Sequence, residues 1–150
     1  MIDPVTKEIT VSASVSEAFK KFTLHLGDWW PLGSHSLSAG AGETAKSVKM
    51  EPCLGGAIVE TMYDGDTALW GIITDWEPER KVGFTWHLRR PKNEQTHICV
   101  EFFPDGKKTL VRLVHSRWDA LGDEAQNHRN QYNSGWDRVL KEYVKITFAP

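Results

Sequence analysis

Residues 123–146 read as one helix at the end of a run of strands, and this feature limits the fold more than any other. Tyr132, Trp136, Val139, Leu140 and Tyr143 fall at i, i+4, i+7, i+8 and i+11, one apolar stripe at helical spacing. At 1.5 Å per residue the helix is about 35 Å long. Before it, from Ala45 to Arg117, the pattern has a period of two. Val82, Phe84, Trp86 and Leu88 alternate with Gly83, Thr85 and His87, and Ile98, Val100 and Phe102 with His97, Cys99 and Glu101. Asp64-Gly65 and "PDGK" are hairpin turns between such runs. A sheet with one apolar face must be covered, and the terminal helix is the only element large enough to do so. The expected fold is therefore α+β, with a curved antiparallel sheet of about six or seven strands wrapped around the long C-terminal helix.

Gly135 interrupts the stripe three residues after Tyr132 and next to Trp136. Glycine inside a helix costs roughly 1 kcal/mol relative to alanine. A missing side chain on the buried face implies either close backbone contact with a neighbouring aromatic ring or an open volume.

Ahead of the sheet, "VTKEITV" alternates as a half-buried strand. "SVSEAFKKFTLHL" reads as a helix capped by Ser14 or Ser16, with Ala18 and Phe22 inward. "GDWWPLGSHS" ends it, and the small-residue segment to about Gly42 reads as a loop with a short helical piece.

The 150 residues are 40% hydrophobic and 25% charged, the composition of an ordinary globule folding as one domain. No apolar run approaches the roughly 20 residues that span a bilayer, and the N-terminus lacks the parts of a signal peptide, so a cytoplasmic location is expected. A net charge of -2, with basic pairs such as Lys107-Lys108 at turns, gives no footprint for nucleic acid. Cys53 and Cys99 lack metal-motif spacing and read as free thiols, at least one of them buried. No metal or cofactor motif is present. Seven tryptophans are the outlier. Such side chains build a core or line a cavity for a flat apolar ligand.

"WWPLGSHS" (29–36), "EPCLGGAIVE" (51–60), "WGIITDWEPERKVGFTWH" (70–87), "VEFFPDGKKTLVRLVHSRW" (100–118) and "RNQYNSGW" (129–136) together resemble the bacterial family similar to the activator of the heat-shock protein 90 ATPase. That family lies within the START-like (SRPBCC) superfamily. The resemblance implies a helix-grip fold with an elongated space between sheet and helix, and a link to stress response. The activator itself carries an additional N-terminal domain that clamps the chaperone. This chain begins at its first strand, so residues 1–150 are expected to be the START-like domain alone.

Glu60 shares its strand phase with Ile58 and Met62 and is expected to point inward. A buried carboxylate needs a partner, and Arg129, three residues before Tyr132, is expected to supply it near Trp86 and His115. His115 follows Val111 and Leu113 on their face. It reads as a core histidine that could reach the cavity, whereas His35, in a loop near a possible cavity mouth, could touch a ligand but reads first as a solvated loop histidine. The expected function is binding of a small apolar or aromatic molecule. Trp30, Trp70, Trp86, Trp118 and Trp136 form the walls, and Glu60, Arg129, His115 and Tyr132 the polar anchors. The alternatives are a cyclase- or hydrolase-type enzyme using Glu60 or His115 as general acid or base, and a chaperone-associated interaction module. The resemblance also admits a homodimer.

Overall fold

The computed structural model describes residues 2–88 and 90–148, with the side chains of Lys92 and residues 146–148 outside the description. The elements run β1 (Val5–Val11), α1 (Val15–Thr23), α2 (Leu26–Trp29), α3 (Leu37–Gly40), β2 (Ser47–Met50), β3 (Ala57–Thr61), β4 (Thr67–Glu77), β5 (Lys81–Trp86), β6 (Thr96–Asp105), β7 (Lys108–Ser116) and α4 (Ala125–Phe148). Seven strands form one antiparallel sheet in the order β1-β7-β6-β5-β4-β3-β2. The first strand pairs with the last, Val5 opposite His115 and Val11 opposite Thr109. The three short helices then carry the chain to the far edge, and every later strand joins its predecessor by a hairpin.

The alternation seen in the sequence sets which face is inside. Ile98, Val100 and Phe102 are buried, and so are Val111, Leu113 and His115, while their neighbours are less covered. Two irregularities in β4 curl the sheet. Ile58 pairs with Gly71 but Val59 with Leu69, so Trp70 is an extra residue; Ile73 pairs with Phe84 but Asp75 with Gly83, so Thr74 is another. Each bulge bends the strand and increases its twist. Gly71 is required beside the first, because a Cβ there would collide with the Thr85 carbonyl oxygen.

The terminal helix is continuous from Ala125, as its stripe predicts. A 3₁₀ segment, Trp118–Glu124, precedes it, broken at Gly122 with φ 67°. Trp136, Val139, Leu140 and Tyr143 are buried against the sheet and α1. Phe22 meets both Tyr143 and Phe102 edge-on, and the Tyr143 hydroxyl donates to the Ala18 carbonyl at 2.7 Å. Ser14 caps α1, accepting from the Glu17 amide at 3.2 Å. Neither cysteine is buried as expected: Cys53 lies exposed in the β2–β3 turn, and Cys99 is half-covered on the outer face of β6. Among the described residues no helix is long and apolar enough to cross a membrane.

Candidate functional site

Glu60 points inward from β3, as its phase predicts, and is fully buried. Its partner is not Arg129. Oε1 accepts from the Leu37 amide at 2.8 Å and the Trp70 indole at 2.9 Å; Oε2 accepts from the Ser38 amide at 3.0 Å and the Ser38 hydroxyl at 2.7 Å. The carboxylate therefore binds the first amides of α3, which Ser36 caps by accepting from Ala39 at 3.0 Å. Burial pushes the Glu60 pKa up, but the Ser38 hydroxyl, the two amides and the Trp70 indole outweigh it and hold it below its ordinary value. No cation is needed. Arg129, only partly buried, donates instead to the carbonyls of Asp3 and Pro4 at 3.2 and 3.1 Å and ties the N-terminal segment to α4.

His115 is also fully buried and has no polar capacity to spare. The Trp136 indole can only donate, so His115 Nδ1 accepts from it at 3.0 Å. The proton then sits on Nε2 and goes to Thr96 Oγ1 at 2.7 Å, which itself donates to the Trp86 carbonyl at 3.2 Å. Burial, with a smaller effect from His97, drives the His115 pKa down to about 3. It is a neutral structural group that sets the angle of the Trp136 ring. Trp118, packed on it at a 38° tilt with 4.0 Å between ring centroids, belongs to the same core.

The pocket lies beside this network. About 320 Å³ of space opens between the α2–α3 connection, the end of β5 and one face of α4. Trp30, Trp86 and Trp136 wall it, with Tyr132, Leu37, Leu88 and Val139; Ser34 and Gln131 stand at its exposed rim. Of the nine residues expected to contact a ligand, Trp30, Trp86, Tyr132 and Trp136 line this space. Trp70, Trp118, Glu60 and His115 stand behind the walls, and Arg129 is elsewhere.

Gly135 faces the open volume. A Cβ built there would meet only His35 Nε2, at 3.9 Å. His35, only partly buried, stands in its loop with its ring at the pocket, the second of the two readings its position allows. Its carbonyl accepts from the Trp30 indole at 2.6 Å, its Nδ1 is 2.7 Å from the Ser34 hydroxyl, and its Nε2 faces the pocket. Burial and the nearby Arg138 charge lower its pKa, favouring a neutral ring. Tyr132 supplies the second polar atom: its hydroxyl accepts from the Trp86 indole at 3.1 Å, which leaves its own proton to give. Leu88, on the pocket wall, has a φ of 46°, a left-handed conformation uncommon outside glycine and frequent where a site imposes strain. Sequence reading missed Leu37, Leu88 and His128 as lining residues, and only the phase of the Val82 to Leu88 alternation hinted at one of them. Among the described residues no group of three or more His, Cys, Asp or Glu could hold a metal.

A curled sheet gripping a terminal helix, with a pocket between them, defines a START-like protein of the helix-grip class. The chain belongs to the family described as activator of Hsp90 ATPase homolog 1-like protein, whose model matches residues 12–146. Among solved structures it is similar to an anthrahydroquino-γ-pyrone synthase, Txn09, at 29% identity and a TM-score of 0.69, covering 97% of each chain. It is also similar to the Aha1 dimer from Colwellia psychrerythraea (18%, 0.72, 99% of this chain and 98% of that one). A third is CalU16 from Micromonospora echinospora (17%, 0.66, 98% and 76%). Among curated proteins none matches the chain.

Proposed function

We propose that this protein binds a small planar aromatic molecule in the pocket above Gly135. The volume of about 320 Å³, left open by a glycine on an otherwise aromatic helix face, carries the reading. Trp30, Trp86 and Trp136 offer flat apolar surfaces, and Tyr132 and His35 offer a donor and a ring nitrogen to fix orientation. The synthase similar to this chain is named for a fused-ring product, which is the shape such a pocket would take. Among the described residues the exposed large apolar side chains, Leu24, Leu54 and Tyr63, stand on three different connections. Such scatter is poor support for a module that works through an apolar surface.

The same synthase favours a second reading, catalysis on a ring system of this kind. Glu60 and His115 do not suit it, since each is buried with its hydrogen bonds filled. The reacting groups would be His35 and Tyr132. Titration with anthracenemethanol, followed by tryptophan fluorescence, tests the binding reading. The wild type should bind and Gly135→Leu should bind at least about tenfold more weakly while folded, since filling the space removes contacts worth over 1.4 kcal/mol. Equal affinity in a folded variant would refute it.

A further inference from the structure

We infer that the ligand is an acid: a planar aromatic body between Trp30, Trp86 and Trp136, carrying one carboxylate that reaches Arg90. This rests on the aromatic-pocket reading and adds the chemistry of the ligand's other end.

A second space of about 190 Å³ adjoins the first. Leu37, Trp86, Leu88, His128 and Tyr132 line both, so the two adjoin, with Tyr132 and Trp86 at their boundary. The character changes across it. The first is dominated by indole faces, while the second adds Arg90, His87 and Thr96. No described residue lining either space is an aspartate or glutamate, although acidic residues outnumber basic ones 20 to 18 in the chain. Among the described residues Arg90 is the one lining residue with a formal charge.

Arg90 is placed but not saturated. Its amide donates to the His87 carbonyl at 2.8 Å, in the turn where Leu88 is left-handed, which brings the side chain to the second space. Its guanidinium meets Glu94 Oε1 at 3.4 Å through Nη1 and His128 Nε2 at 3.5 Å through Nη2. Both contacts are long for a group with five donors, which makes its strongest bonds bidentate to a carboxylate at 2.7–2.9 Å. Glu94 offsets part of the charge, so the site suits a single negative charge; a dianionic phosphate would be left partly unmatched. A carboxylate at Arg90 leaves the attached rings to pass the Tyr132 hydroxyl and enter the tryptophan-walled space.

The test compares anthracenecarboxylate with its neutral counterpart, anthracenemethanol, by calorimetry on the full chain and on Arg90→Gln. Arg90 is 41% exposed, so the variant should fold, which circular dichroism checks. The wild type should prefer the acid by about tenfold, the scale of one charge-assisted pair. Added salt should erode that preference, and Arg90→Gln should abolish it. Equal binding of acid and alcohol by the wild type overturns this inference and leaves the pocket reading standing. So does an acid preference that survives Arg90→Gln. Binding of neither overturns both.

Discussion

Replacing Glu60 with glutamine keeps its shape and removes half of its acceptors. Four donors converge on the carboxylate, two on each oxygen. Glutamine has one oxygen. If it faces Ser38, the Leu37 amide and Trp70 indole meet an NH₂ group. If it faces them, the Ser38 amide is orphaned, and the Ser38 hydroxyl must turn to accept while it already accepts from the Tyr63 amide at 3.2 Å. One or two buried donors lose their partner, each costing about 1–3 kcal/mol, and the surviving bonds lose their charge. A loss of about 3 kcal/mol at pH 7, read by urea denaturation, is expected. The pH dependence separates this from a packing defect. Because the folded pKa of Glu60 is lowered, its contribution is complete above the unfolded value of about 4.3 and is lost as pH falls through the folded one. His115, depressed from 6.5 to about 3, lowers stability as pH falls below 6.5, but equally in both proteins. The gap between wild type and Glu60→Gln should therefore be constant near neutrality and close below about pH 4. A cost under about 1 kcal/mol, as at an ordinary surface position, or a gap that persists into acid, would refute the assignment.

Gly135→Ala should raise stability by about 0.5–1 kcal/mol, since its Cβ enters open space and relieves the entropic cost of glycine; a lower melting temperature would mean that the position is packed. Arg129→Met should cost less than about 1 kcal/mol and add independently to Glu60→Gln, because the two side chains share no partner. Double-mutant coupling above about 1 kcal/mol would restore the ion pair that the structure replaces.

The fold was legible because its determinants are periodic. Alternation in Val82 to Trp86 and Ile98 to Phe102 marks strands, and the Tyr132 to Tyr143 stripe marks the covering helix. Glu60's inward phase was readable for the same reason. Its partners were not, because three of the four donors come from Leu37 and Ser38, in a four-residue helix within a segment that reads as loop. A backbone amide has no sequence signature. Arg129 misled because a helix face broad enough to cover a sheet also reaches its edge, where the carbonyls of Asp3 and Pro4 lie. His35 was hidden by its setting: nothing in "PLGSHS" shows that the loop folds back until its ring stands opposite Gly135.

Trp30 has an optical consequence. Its ring lies 5.6 Å from Trp29, 5.3 Å from Trp70, 5.9 Å from Trp86 and 5.8 Å from Trp136, centroid to centroid. Indoles this close exchange excitation faster than they emit, so five of the seven tryptophans act as one antenna. A quencher touching only the pocket walls should also extinguish light absorbed by Trp29 and Trp70, which it never meets. The fractional loss of emission on binding should exceed the share of indoles in contact, and Trp30→Phe should reduce that loss by isolating Trp29, while Trp70 stays coupled to Trp86 at 5.3 Å.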